Sequence, residues 1–394
     1  MKITPDRRHA ALEARRALKM ARSVHAYVRG NTAQFYEWLE ASPAMAQVPM
    51  GPKVWICGDC HLGNLGPLAD RHHDFAIQIR DLDQTVIGNP ALDLIRLGLS
   101  LETAARSSDL PGIVTAQMLA AMIDGYSRAL SPEPEDDPTE PKVVRAVRRR
   151  AAGRKWRHLA NERIDGPTPS LPLGKRFWPL AAAERDAITA LFDDPTVRTK
   201  ALALAGHAGD GRVRVLDAAY WRKGCSSLGR LRYAVVLGVG AHSKGLEYLA
   251  LVDIKEAVHS VAPAADDVAM PSDPAARVVA GACALAPNLG ERMIPAHLLG
   301  KPVVLRELAP QDLKIEVEQF SRRQAVSAAS YLAYIVGMAH ARQMSDDVRR
   351  AWQDALQPAH ADDDDQAPSW LWRSVVDLAA RHEAGYLDHC RRLA

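Results

Sequence analysis

The sequence predicts an α+β fold, and two observations predict it. Long stretches near both ends space their apolar residues three and four apart, the period of a helix with one buried face. From about residue 212 the pattern changes to apolar runs of strand length separated by short turns. The chain of 394 residues has room for roughly two to three folding units. Its 47% hydrophobic and 25% charged content is ordinary for a globular protein. A net charge of +3 is too small to imply a nucleic-acid partner.

Residues 7–41, rich in Ala, Arg, Leu and Glu, read as helix until "SPAMAQVPMGP" breaks them. "KVWICGD" is a short apolar strand that delivers Asp59 to a loop. "HDFAIQIRDLD" is a second strand, with Phe75, Ile77 and Ile79 alternating before Asp81 and Asp83. Helices follow after Pro90 and near 113–130. "SPEPEDDPTEPK" is an acidic, Pro-rich linker, and the basic helix "VVRAVRRRAAGRKWRHLANER" reads as a solvated face. In the β-rich region, Tyr233–Val239 and Leu246–Ile254 flank the turn "GAHSKG" as a hairpin. "DPAARVVAGACALAP" is a helix with Pro at its start, and "ERMIPAHLLGKPVVLREL" is a second hairpin around Gly300. "SRRQAVSAASYLAYIVGMAHARQ" is a long helix, and a last one runs from about 370. The expected division is 1–210, mainly helical; 211–310, β-rich; and 311–394, helical again.

No stretch reaches the roughly 18 apolar residues that span a bilayer. The N-terminus has no apolar core of a signal peptide, so the expectation is a cytoplasmic protein without a membrane partner. Five scattered cysteines argue against a disulfide framework.

The stretch "CGDCHLGNL" carries two messages. Cys57, Cys60 and His61 have the spacing of a haem-attachment or redox motif. Asp59 and Asn64 have the five-residue offset of a phosphotransferase catalytic loop. Phosphoryl transfer needs a carboxylate to orient the attacking hydroxyl, an amide oxygen and a second carboxylate for magnesium, a glycine-rich turn, and a lysine on a strand. The rest of the chain supplies them. Asp81 ends a strand, with Asp83 two residues on and pointing the same way. Asp93, at a helix start, reads as a structural carboxylate. "GCSSLG" forms a small-residue turn between strands, and Lys255 sits inside an apolar strand. The haem reading leaves all these residues as coincidences.

The order is inverted relative to an ordinary kinase, because Gly224 follows Asn64 by 160 residues. A circular permutation reconciles the two. The motifs "CGDCHLGNLG", "IRDLDQTVIGNPALDLIRLGLSL", "GCSSLGRLRYAVVL", "LVDIKEA", "VVLRELAPQDLK" and "AHARQ" resemble those of the bacterial family called domain of unknown function 2252. The chain is thereby similar to a circularly permuted, two-lobed protein-kinase-like fold binding ATP and Mg²⁺. The resemblance implies Asp59 as catalytic base, Asn64, Asp81 and Asp83 as magnesium ligands, and Gly224, Ser226, Ser227 and Gly229 over the phosphates. Lys255 would touch the phosphates, and Glu307 would lie near the adenine-reading hinge. Three departures stand out: Ser226 where a middle glycine belongs, Cys57 where many small-molecule kinases have histidine, and no glutamate on the helix after Lys255. The interval between Asp83 and Gly88 leaves no room for a long activation segment, as in aminoglycoside and choline kinases. The expected function is phosphoryl transfer to a small hydroxylated molecule. A nucleotide-binding pseudoenzyme and a nucleotidyltransferase are the competing readings.

Overall fold

The structure is a computed structural model that describes residues 5–70, 72, 74–132, 140–155, 170–204, 212–224, 228–240, 248–313, 321–357 and 367–393. In place of one helix over 7–41 the chain forms three: α1 (Pro5–Met20), α2 (Val24–Gly30) and α3 (Thr32–Glu40). The breaks have local causes. Ser23 is extended, and its hydroxyl accepts from the Ala26 N–H, starting α2 as an N-cap. Gly30 ends α2, and the Asn31 side chain donates back to the Tyr27 carbonyl. Helical periodicity continues across both breaks, so spacing alone does not reveal them.

Four short strands come next: β1 (Val54–Ile56), β2 (Leu65–Ala69), β3 (Phe75–Ile79) and β4 (Val86–Gly88). β1 pairs antiparallel with β4, and β2 with β3. The helices α4 (Ala91–Arg106), α5 (Gly112–Ala129) and α6 (Lys142–Ala152) follow. Every residue of α4 from Ala91 to Ala105 is buried, which makes it the central helix of this part.

A second body is built on a six-stranded antiparallel sheet. Its strands are β5 (Phe177–Trp178), β6 (Arg212–Trp221), β7 (Arg232–Gly240), β8 (Tyr248–Glu256), β9 (Met293–Leu298) and β10 (Lys301–Glu307), in the order β5-β6-β7-β8-β10-β9. Between them lie α7 (Ala182–Asp193), α8 (Pro195–Leu204), α9 (Pro274–Leu285) and the short α10 (Pro287–Gly290). The first expected hairpin is β7–β8, paired from Arg232 opposite Lys255 to Val239 opposite Tyr248; its turn, 241–247, lies outside the described residues. The second is β9–β10, turned at Leu299 and Gly300, both at positive φ.

Two-residue alternation sorts the sheet faces. Tyr233, Val235, Leu237, Val252 and Ile254 pack on one face with Ile188 and Phe192 of α7 and with Leu12 of α1. Ala234, Val236 and Leu251 belong to the other face. The sheet and its cover thus take in chain well before residue 211. The opposite face is the one on which Arg232, Asp253 and Lys255 fall.

The chain closes with α11 (Arg322–Ala341), α12 (Asp346–Leu356) and α13 (Ser369–Arg391). α11 lies against α5 at close range. A Cβ on Gly125 would stand 2.1 Å from the Ser330 carbonyl oxygen, so only glycine admits this approach. Among the described residues no helix is long and apolar enough to cross a membrane.

Candidate active site

The loop leaving β1 is held from below. Asp93, in the first turn of α4, is fully buried. Its Oδ2 accepts from the Cys57 N–H at 2.7 Å, and its Oδ1 from the Gly58 N–H at 2.9 Å. His340 Nε2 stands 3.2 Å from the same Oδ2, and His340 Nδ1 stands 2.9 Å from the Tyr126 hydroxyl. Trp352 Nε1 donates to that hydroxyl, so the donors run in one direction: Trp352 to Tyr126, Tyr126 to His340, His340 to Asp93. The structural role read for Asp93 therefore goes beyond the helix dipole: the carboxylate anchors the loop backbone.

The loop so fixed presents Asp59. Arg96, also on α4 and fully buried, donates from Nε to Asp59 Oδ1 at 2.9 Å. Burial raises the pKa of Asp59, and the Arg96 charge only partly offsets it. His61 Nε2 lies 3.9 Å from Oδ2. The Asn64 side-chain N–H donates to the Asp59 carbonyl at 2.9 Å, which fixes the amide and leaves its oxygen as an acceptor.

Across from this loop stands the sheet. Lys255 Nζ is 2.5 Å from Asp83 Oδ2 and 3.1 Å from Asp81 Oδ1. Burial works against the ammonium, but the two carboxylates outweigh it and hold the Lys255 pKa above its ordinary value. For Asp81, burial would raise the pKa, yet Lys255 keeps it well below the usual carboxylate range. Asp83 goes the other way, pushed up to about 6 by burial and by the neighbouring Asp81 charge. The Asp81 side chain is 46% exposed and faces open space. Beside Lys255, Arg232 grips Asp253 through two hydrogen bonds of 2.9 and 2.5 Å, and Lys223 approaches Asp253 at 3.5 Å.

These groups line one cleft of about 400 Å³. It brings together Asp59, Asn64, Asp81, Asp83, Gly224 and Lys255. Gly229 is not in its lining; a Cβ there would meet His9 at 3.3 Å, and its φ of +99° favours glycine. Glu307 ends β10 and borders a small apolar pocket under α7 and α8, while its neighbour Arg306 lines the cleft. Ser226 and Ser227 lie outside the described residues. Glu256 does not pair with Lys255: its carboxylate accepts from Lys301 and from the Leu231 N–H.

Four contributors were not apparent from spacing. Arg96 looks like one more polar residue in an amphipathic helix. Arg277 of α9 donates to the carbonyls of Thr85, Asp83 at 3.0 Å and Val258 at 2.8 Å, tying the aspartate loop to the exit of β8. Arg22 and Arg29 enter the cleft from around α2. A contact-forming arginine leaves no local signature; the one available hint is an arginine inside an otherwise apolar helix, as at Arg96. Cys57 and Cys60 are fully buried, and both thiol pKa values are raised.

The model of a family described as "Uncharacterized protein conserved in bacteria (DUF2252)" matches residues 8–392. The chain belongs to that family. No curated protein matches it, and no solved structure does. In this DUF2252 member the acidic loop, the lysine strand and a wall of cations share one cleft.

Proposed function

We propose that the protein is a kinase-like phosphotransferase that uses ATP and Mg²⁺ to phosphorylate a small hydroxylated molecule, on a circularly permuted two-lobed fold. The observation that carries this reading is the meeting of Lys255 with Asp81 and Asp83, residues some 170 positions apart, in the cleft that also holds Asp59 and Asn64. The segment order within the sheet also supports it. The segment from Gly224 to Gly229 lies between β6 and β7 in the chain, Lys255 lies on the next strand, and a helix, α9, follows.

The donor set suits magnesium. Two carboxylates and one amide oxygen are hard ligands, and Mg²⁺ keeps several waters rather than demanding a full protein cage. Among the described residues no group of three or more His, Cys, Asp or Glu is placed to hold a metal, so a magnesium ion here would depend on phosphate oxygens and water as well. When bound by Asn64, Asp81 and Asp83, the ion would neutralise phosphate charge. The ammonium of Lys255 would then turn from the carboxylates to phosphate oxygens. Asp59, oriented by Arg96, takes the proton of the acceptor hydroxyl as its oxygen attacks the γ-phosphorus, and ADP leaves. A carboxylate with a raised pKa is the better base for this step.

α9 offers Arg277 rather than a glutamate toward this corner, so among the described residues Lys255 has the two aspartates as its ion-pair partners. That favours, as second reading, a module that binds nucleotide without turnover. The test is thermal denaturation with ATP and Mg²⁺ on the wild type and on Asp81→Ala, together with phosphate-transfer assays. A metal-dependent rise in melting temperature that is lost in Asp81→Ala is expected. No shift in the wild type would refute nucleotide binding. Binding without transfer across many acceptors would favour the second reading, and an adenylylated product would convert the assignment to nucleotidyl transfer.

A further inference from the structure

The wall of the cleft formed by the end of α1 and by α2 contributes Lys19, Arg22, Ala26 and Arg29, three cations and no acid. Most other cations of the cleft have a carboxylate; Arg80 instead donates to the Asp312 carbonyl at 3.3 Å and keeps its Nε buried without a partner. Lys255 has Asp81 and Asp83, Arg232 and Lys223 share Asp253, and Arg306 has Asp312. Lys19 donates to the Gly224 carbonyl. The guanidinium groups of Arg22 and Arg29 have no hydrogen-bond or ion-pair partner among the described residues, and Arg29 Nε is buried without one. The Arg29 guanidinium is not remote from the chemistry: a Cβ on Gly63, inside the Asp59–Asn64 loop, would stand 2.8 Å from its Cζ. His61 adds a second unsatisfied group. Its side chain is 5% exposed, lines the same cleft, and its Nδ1 is buried with no partner.

An arginine fork on a cleft wall that carries no acid of its own is a receptor for carboxylate or phosphate oxygens. The nearby histidines do not supply that anion. His25 hydrogen-bonds Thr103 and has its pKa lowered to about 4 by burial, with Arg29 and Arg96 adding to the effect, and His61 is lowered in the same way. An aminoglycoside or choline-like cation, by contrast, would meet like charge on this wall. We infer that the acceptor is an anion: a small alcohol bearing a carboxylate or phosphate group, which Arg22 and Arg29 hold while its hydroxyl reaches Asp59. This rests on the phosphotransfer reading for the role of the hydroxyl, whereas the anion site stands on the unpaired guanidinium groups.

The experiment titrates inorganic phosphate and, separately, acetate into the full-length protein saturated with the non-hydrolysable nucleotide AMP-PNP and Mg²⁺, by calorimetry. The wild type is expected to bind at least one of them. Arg29→Gln and Arg22→Gln should each weaken that binding about ten-fold, the loss of a charge-assisted contact, with AMP-PNP affinity held within about two-fold. Binding of phosphate alone assigns a phosphate ester, and of acetate alone a hydroxy acid. Arg22 is exposed, so its variant keeps the test alive if Arg29→Gln does not fold. Absence of anion binding by the wild type, undiminished binding by both variants, or an equal loss of AMP-PNP affinity would each overturn the inference. If the wild type binds no AMP-PNP, the phosphotransfer reading fails separately. The titration is then run without nucleotide against Lys255→Met. Loss in Arg29→Gln but not in Lys255→Met retains the anion site, and loss in Lys255→Met alone overturns it.

Discussion

Replacing Asp93 with asparagine changes few atoms but confronts three donors. The carboxylate accepts from Cys57 N–H, Gly58 N–H and His340 Nε2 within 3.2 Å, in a position with no exposure. Asparagine keeps one oxygen, which can serve Cys57 and His340. Its NH₂ then faces the Gly58 N–H, donor against donor. A hydrogen bond to a charged group contributes about 1.5–3 kcal/mol, and a buried donor left unsatisfied costs about 1–3 kcal/mol. One bond lost outright and two weakened add to a destabilisation of about 3–4 kcal/mol, a large part of a typical folding stability of about 5–15 kcal/mol. Urea denaturation of the two proteins, compared at their midpoints, measures it. Because the same groups set the path of the loop that ends at Asp59, the variant should also lose the metal-dependent nucleotide shift under conditions where it is still folded. A destabilisation below about 1 kcal/mol would refute the view that this carboxylate anchors the loop.

Three other outcomes follow from the structure. Glu102 is buried with Oε2 unpartnered, and burial pushes its pKa up to about 7, with Arg106 offsetting only part. The folded state therefore holds the proton between the ordinary carboxylate range and pH 7, and above pH 7 the ionised group destabilises the fold. Glu102→Gln should stabilise by roughly 1–3 kcal/mol at pH 8 and by almost nothing at pH 4.5, read as melting temperatures; equal effects at both would contradict it. Gly125→Ala should cost at least ~1–3 kcal/mol by forcing α5 from α11, while Gly112→Ala, with nothing within 4 Å, should be neutral or slightly stabilising in the same denaturation assay. Cys57 and Cys60 should resist a thiol reagent in the native protein and label after unfolding, by peptide mass mapping; rapid native labelling would revive the redox reading of the CxxCH motif.

Much of the local structure was legible because its signals are short-range. Phe75–Ile79 alternates as strand β3, Pro274 opens α9 behind the Asp273 cap, and the β7–β8 and β9–β10 pairs follow from two-residue periodicity. β2 escaped notice because "LGPLA" contains Gly66 and Pro67, which weaken any strand reading; it survives as half of a two-stranded sheet. The division of 7–41 into three helices turned on single capping residues that composition does not weigh. In the site, Asp59, Asn64, Asp81, Asp83 and Lys255 were readable as motif residues. Arg96 on Asp59, Arg277 on three carbonyls, and the bare guanidinium of Arg29 were not, because each depends on a tertiary neighbour far along the chain.

The Arg277 side chain has a mechanical consequence. By gripping the carbonyls of Asp83, Thr85 and Val258 at once, it welds the aspartate loop to the strand that carries Lys255. The Thr85 hydroxyl, donating to the Ile56 carbonyl, carries the weld on to β1. The base of the crevice is thus cross-braced, so that removing one guanidinium would loosen both aspartates and the lysine strand together.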